Sequence, residues 1–382
     1  MAAGLYLHVP FCSRICPYCD FAVTIGGRER RRRFVSDLAA EIAMAGGGSG
    51  AGAGFEAFDT VYFGGGTPSA LAAPELAGVL EAAEAALPLH EPWIFLEANP
   101  EDVSGESLRA WRELGVRTLS LGVQAFDEAA LRFLGRRHDP EQAARAVRLA
   151  CEAGFETVSV DLIYGLPDDS PERWRATLAR AVELGPDHLS CYQLTLHEGT
   201  PFGFRAARGE LAELPEEGQA DLFLLSHELL NDEGFQGYEV SSFARSPEHR
   251  SRHNRKYWDH TPYLGLGPSA HSFAAGRRWW NERKLHRWEA RLAAGERPIA
   301  EGEELSPSDL ALEAVMLGLR TYDGIDLRRF GERYGVDLAA RNERLIAALV
   351  AEGLVQAGGD AVVPTLRGLA VADAIARRLE IT

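Results

Sequence analysis

Disulfide-forming cysteine, long apolar runs and positive charge are all scarce in this chain of 382 residues. Five cysteines are few for such a length. Two of them, Cys151 and Cys191, lie inside apolar patterns of the kind that bury free thiols, so the pattern does not read as a disulfide framework. No apolar run reaches the roughly 18 residues a membrane span needs, and no secretory leader precedes the first strand, which together point to a reducing, cytoplasmic setting. Forty Lys and Arg face 56 Asp and Glu, a net charge of −16 and a pI near 5.2. That balance argues against a broad electrostatic attraction to nucleic acid or anionic lipid. The one basic run, Arg28 to Arg33 with Glu29 inside it, reads as the solvated start of a helix. What the chain does have is apolar content, 46% of its residues, enough for a large domain and a smaller one.

The remaining cysteines are concentrated. Cys12, Cys16 and Cys19 share one loop, His8-Val-Pro-Phe-Cys-Ser-Arg-Ile-Cys-Pro-Tyr-Cys-Asp20, directly after the apolar stretch Leu5 to Val9, which reads as a strand. Three thiolates with no fourth cysteine nearby suit an iron–sulfur cluster that keeps one iron open for another ligand. Zinc would want a fourth donor to close its tetrahedron, and the nearest candidate, His8, fits poorly as a strand residue four positions before the first cysteine. The spacing Cys-x3-Cys-x2-Cys, with Tyr18 just before the last cysteine, resembles the signature of the radical S-adenosylmethionine (SAM) superfamily. That resemblance implies a [4Fe–4S] cluster whose open iron is chelated by SAM.

Downstream, strands and helices alternate. Strands are expected near Leu5–Val9, Thr60–Phe63, Trp93–Glu97, Thr118–Gly122, Thr157–Ile163 and His188–Gln193, with helices at Arg31–Ala45, Pro74–Ala86, Ser107–Leu114, Pro140–Ala153 and Pro171–Leu184. Such alternation argues for an α/β fold with parallel strands and crossover helices. The stretch Gly46 to Gly54 has no periodicity and reads as a flexible surface loop. Unusual polar residues fall at successive strand ends: the cysteines, then Gly64-Gly-Gly-Thr-Pro68, Glu97, Gln124 and Asp161. In parallel α/β folds that face gathers ligands. About six units are visible before the pattern breaks near Thr195, which matches the partial (β/α)6 barrel of radical SAM proteins better than a closed eight-unit barrel. The expected division is 1–195 for the barrel, 196–300 for a less regular aromatic and histidine-rich extension, and 301–382 for a C-terminal unit. In that last part, helices at Ser308–Leu319, Leu327–Tyr334 and Asn342–Glu352 precede a hairpin around Gly358-Gly-Asp360 and a helix at Leu369–Leu379, an order that resembles a winged helix. With an acidic chain, a protein-interaction or structural role is expected of it rather than DNA binding.

Several residues carry candidate chemistry. Glycines at a strand end let backbone groups approach a ligand, and Gly65, Gly66 and Thr67 resemble the motif that holds the SAM amino group. Glu97 closes an apolar strand, where a carboxylate needs a cation or a donor. Arg136 can clamp a carboxylate, and Asp161 can accept from ribose hydroxyls or an ammonium. These segments, with Gln124 and Tyr6, resemble the anaerobic coproporphyrinogen oxidase branch of the superfamily, in which equivalent positions contact SAM, and the resemblance runs over nearly the whole chain. Two functions are open within that branch: an oxidase that decarboxylates coproporphyrinogen III, and the HemW heme chaperones, which deliver heme to acceptor proteins. The oxidases carry a further cysteine two positions after the third and an arm before the first strand, whereas position 21 here is Phe and few residues precede the strand. His253-Asn-Arg-Lys-Tyr-Trp258 matches the His-Asn-x-x-Tyr-Trp motif of the chaperones, which makes His253 the expected axial heme ligand and His271 the alternative. The resemblance thus implies heme and heme-accepting respiratory proteins as partners, with peripheral membrane contact compatible with the absence of a span, and leaves turnover of SAM and the electron donor open.

Overall fold

Six parallel strands pair in the order of the sequence: β1 (Ala3–Val9), β2 (Phe58–Gly65), β3 (Leu89–Ala98), β4 (Val116–Gln124), β5 (Thr157–Tyr164) and β6 (His188–Gln193). They belong to a computed structural model that describes residues 2–47 and 54–381. Among the described residues six α-helices lie between them: α1 (Arg28–Gly46), α2 (Ala73–Ala86), α3 (Gly105–Glu113), α4 (Glu128–Phe133), α5 (Pro140–Glu152) and α6 (Pro171–Glu183). Of these, the short α4 was not anticipated. The expected glycine loop at 46–54 falls largely on residues 48–53, outside the described residues.

Local chemistry explains the helix boundaries. Asp139 and Ser170 cap α5 and α6 by accepting from the amides of Gln142 and Arg173, and a proline follows each cap at the first helical position, where its missing N–H costs nothing. Both helices stop before a glycine with positive φ, Gly154 at 79° and Gly185 at 77°, conformations that a side chain resists. The apolar faces of α1, α2, α5 and α6 bury Leu38, Leu76, Val147 and Leu178 against Leu5, Val61, Leu119 and Val160 of the strands.

The region 196–300 is more regular than expected, because it extends the sheet at both edges. β9 (Tyr263–Leu266) adds parallel to β1, and β10 (His271–Ala274), β11 (Arg277–Asn281) and β12 (Ile299–Glu304) continue antiparallel. At the far edge β8 (Ser242–Ala244) pairs antiparallel with β6 and carries β7 (Gln236–Gly237) outside it. The result is one twelve-stranded open sheet. Its helices here are α7 (Pro201–Ala207), α8 (Glu216–Asp232), α9 (Arg255–Trp258) and α10 (Leu285–Ala293).

The C-terminal part has its own core, with Val315, Leu319, Phe330, Leu349 and Ile375 buried together. It comprises α11 (Pro307–Gly318), β13 (Ile325–Asp326), α12 (Leu327–Tyr334), α13 (Leu338–Arg341), α14 (Glu343–Ala351), β14 (Val355–Gly358) and β15 (Ala361–Pro364), the three strands forming a small sheet. The single last helix expected at Leu369–Leu379 is instead two short ones, α15 (Leu366–Ala370) and α16 (Ala372–Ala376), separated at Val371, whose φ of −124° is not helical. A polar junction joins this part to the large sheet. Arg278 on β11 pairs with Glu313 on α11 at 2.6 Å, and His260 lies between Glu313 at 3.3 Å and the Tyr334 hydroxyl at 3.0 Å.

One buried carboxylate locks α1 to the extension. Glu41, 3% exposed, accepts from the Gly267 amide, the Asn281 side chain and the Trp288 indole, and burial pushes its pKa up to about 7. Glu41→Ala leaves three buried donors unpaired, and each orphan costs about 1–3 kcal/mol. The unfolding midpoint is expected to drop by at least about 5 °C, and by less for Glu41→Gln, which keeps an acceptor oxygen. An unchanged midpoint in Glu41→Ala would show that the clasp contributes nothing.

Candidate cofactor site

Strand alternation builds the site. On β4 the residues Thr118, Ser120, Gly122 and Gln124 face inward, on β5 Thr157, Ser159 and Asp161, and on β6 His188, Ser190 and Tyr192; together they line a cavity of about 590 Å³. On β4 to β6 the period of two gives an apolar outer face toward the helices and a hydroxyl-rich inner face, while β2 and β3 add Tyr62 and Phe95 to the wall. All of the predicted site residues line this cavity except Tyr6 and His253. They gather at the carboxyl ends of the strands, from the loop after β1 (Cys12, Cys16, Tyr18, Cys19), the turn after β2 (Gly65, Gly66, Thr67), the end of β3 (Glu97), the end of β4 (Gln124), the turn after α4 (Arg136) and β5 (Asp161).

The cysteine loop is held by donors aimed at sulfur. Thr67 Oγ1 donates to Cys12 Sγ at 3.4 Å, and Arg136 Nη1 to Cys16 Sγ at 3.6 Å. Both stabilise thiolates that bind metal, the guanidinium through its charge. Arg136 is itself fixed by Asn99 Oδ1 at 2.6 Å and the Gly122 carbonyl at 2.7 Å. No three His, Cys, Asp or Glu side chains among the described residues converge on a point that one ion could occupy. A single tetrahedral zinc needs such a point, whereas a four-iron cluster binds each thiolate through a separate iron. Three thiols on one loop, with donors on two of the sulfurs, fit such a cluster.

Beside the thiols lies a backbone cradle. A Cβ on Gly66 would come within 2.8 Å of the Val9 carbonyl, and one on Gly65, whose φ is 106°, within 2.5 Å of the His8 ring. His8 cannot give way, since its ring is held by the Tyr6 hydroxyl at 3.2 Å and the Ala22 carbonyl at 2.9 Å. Gln124 sits in a tight turn, its φ at 69° and the Ala125 amide bonded to the Val123 carbonyl, a strained geometry at the cavity wall.

Two carboxylates face the lumen without an ion pair among the described residues. Glu97 accepts from the Tyr62 hydroxyl at 2.8 Å and the Gly65 amide at 3.2 Å. Burial, partly offset by the Tyr62 bond and reinforced by Asp161, pushes its pKa up to about 7. Asp161 rises to about 6 for the same first reason, with Ser190 and Ser120 hydroxyls opposing. Carboxylates so placed attract a cationic ligand, which would restore their ordinary acidity.

Two of the expected residues lie off the cavity wall. Tyr6 lies beside the lumen with its hydroxyl on His8 and is not part of the cavity wall. His253 is not an open ligand: it is 1% exposed, Nδ1 is bonded to Thr60 Oγ1 at 2.8 Å and Nε2 to the Tyr257 hydroxyl at 2.9 Å. Its ring packs 5.1 Å from that of Tyr62 and against Gly4, where a Cβ would come within 2.9 Å. Lys256 of the same segment pairs with Asp59 at 2.8 Å. The His-Asn-x-x-Tyr-Trp segment is therefore a stopper for the amino-terminal ends of β1 and β2, and only its Asn254 reaches the cavity. His271, the alternative, is exposed on β10 with its ring stacked on Trp280 at 5.5 Å, away from the cavity wall.

Residues 6–181 match the Radical SAM superfamily and residues 305–371 the HemN C-terminal domain. The protein named Heme chaperone HemW in Mycobacterium tuberculosis (strain CDC 1551 / Oshkosh) is 38% identical over 381 residues, which covers 98% of this chain and 94% of that one. The chain belongs to the HemW family. The Heme chaperone HemW of Synechocystis is 36% identical, covering 85% of this chain and 79% of its own length. A solved structure titled as coproporphyrinogen III oxidase (HemN) from Escherichia coli, a radical SAM enzyme, superposes with a TM-score of 0.84 over 98% of this chain and 89% of that chain at 23% identity, a likeness of fold.

The HemW-type site missed by residue-by-residue reading includes Asn99, Ser120, Ser190 and Tyr192, each unremarkable alone. For Ser120, Ser190 and Tyr192 the signal was the inward alternation of hydroxyl side chains on β4 and β6; Asn99, just past β3, had none. Two tests follow. Cys16→Ala leaves two thiols, and reconstituted protein is expected to lose its brown absorbance; unchanged iron content would refute the assignment. Because Glu97 holds its proton up to about 7 in the folded state against an ordinary 4.5, raising the pH across that window strips a proton that folding favours, so stability falls. Without added ligand, Glu97→Gln is expected to flatten the decline of the unfolding midpoint between about pH 5 and 7. Equal slopes for variant and parent would rule out this titration.

Proposed function

We propose that this protein is a heme chaperone of the radical SAM type, which binds heme and delivers it to acceptor proteins of the respiratory kind. The full-length 38% identity to a Heme chaperone HemW carries that reading. Cys12, Cys16 and Cys19 would hold a [4Fe–4S] cluster, with Arg136 and Thr67 supplying donors to two of the sulfurs. Gly65, Gly66 and Glu97 suit the ammonium of SAM, and Gln124, Arg136 and Asp161 its carboxylate and ribose. Tyr18, from the cysteine loop, lines the same cavity and would pack beside SAM. When bound, the cluster supplies a single electron. We assign 1–195 to cluster and SAM, 196–300 to closing the lumen, and 301–382 to partner contact. No helix among the described residues is long and apolar enough to cross a membrane, and we place the protein in the cytoplasm, with any membrane contact peripheral.

An oxygen-independent coproporphyrinogen III oxidase is the competing reading. It rests on likeness of fold, and Phe21 stands where the resembling oxidases carry a cysteine. Purified protein is expected to take up hemin with a Soret band and to pass it to an apo-acceptor. Anaerobic incubation with coproporphyrinogen III, SAM and dithionite is expected to yield no protoporphyrinogen. Many turnovers per protein would overturn the chaperone reading in favour of the oxidase.

A further inference from the structure

With the expected ligand buried, the iron of heme needs another donor. Four of the eleven histidines are exposed: His90, His197, His271 and His286. Of these, His197 alone lines the cavity, at its outer end beyond β6. Neither of its ring nitrogens has a hydrogen-bond partner among the described residues, in contrast to His188 and His249, which are bound to Ser159 and Thr157 deeper in the lumen.

Large apolar side chains share the cavity wall with His197. Deeper in, β4 to β6 carry hydroxyls and Asp161, polar groups that a flat apolar macrocycle would desolvate without replacing their bonds, while Phe95 and Leu96 of β3 line the opposite side. Ile15 and Phe21, on the cysteine loop, line the cavity while exposing 43% and 67% of their surfaces, which puts an apolar pair at its mouth. Phe204, 57% exposed, stands on α7, whose first turn is tied to the cysteine loop by the Phe202 amide on the Pro17 carbonyl at 2.9 Å. Large apolar side chains gathered at the surface mark a binding face. Arg14 lines the same mouth and makes no ion pair among the described residues, which leaves a cation for a carboxylate.

The geometry points to a porphyrin seat across this mouth, with His197 Nε2 or Nδ1 as the axial donor to iron, Ile15 and Phe21 against the ring, and Arg14 toward a propionate. This rests on the heme-binding function proposed above. A rim seat with a single protein donor leaves the other face of the macrocycle open to an acceptor, whereas a ligand behind the stopper would require unfolding to release its cargo.

Hemin titrations of the full chain with its cluster reconstituted test it. His197→Ala is expected to weaken binding at least tenfold and shift the Soret band, with added imidazole restoring the parent spectrum; cluster absorbance, read in the same sample, confirms that the variant is folded. Phe21→Asp is expected to weaken binding without changing the ligand signature. An unaltered affinity and spectrum in His197→Ala, or a loss found instead in His253→Ala or His271→Ala, overturns the seat while leaving heme binding intact. Failure of the parent protein to bind hemin overturns the heme-chaperone reading itself, and the seat with it.

Discussion

Arg136 places a guanidinium where the fold gathers three thiols and two carboxylates. Its bonds to Cys16, Asn99 and the Gly122 carbonyl link the cysteine loop to the ends of β3 and β4. Burial raises the pKa values of Glu97 and Asp161 and pushes the Cys19 thiol up to about 11. So much suppressed negative charge around one fixed cation defines a site that wants positively charged ligands, iron and a sulfonium amino acid among them. The acidic balance of the chain as a whole has no bearing on this local field, which is set by what the strands turn inward.

The lumen has two differently built ends. At the carboxyl ends of the strands, loops carry the chemistry and the wall is open. At the amino ends the segment around His253 seals it through Thr60, Tyr257 and the Lys256–Asp59 pair. A histidine whose two nitrogens are both satisfied in an aromatic shell contributes by holding the base of the barrel shut. Burial lowers its pKa to about 3, so it stays neutral and accepts or donates without adding charge to the interior.

Much of the site was legible from the order of residues. The spacing of Cys12, Cys16 and Cys19 on a loop after β1, and polar residues at the ends of five successive strands, required only that the strands be parallel, and parallel pairing follows from the helices between them. The resemblance carried by the same residues placed the chain in its family. What was not legible was anything that depends on contacts between distant segments. A strand read as irregular loop, such as β9 or β11, has too short an apolar signature to stand alone and forms because an edge of the sheet offers unpaired backbone groups.

The sequence by itself determined the cluster loop, the alternation of strands and helices, and the family. Those features rest on local spacing and period, which survive in one dimension. Only the tertiary structure decided which histidines are free: His253 is sealed by Thr60, 193 residues away along the chain, and His197 is left open at the mouth of the cavity. Availability of a ligand is a matter of solvent access and of competing hydrogen bonds, and both are settled by packing between segments that the chain itself keeps far apart.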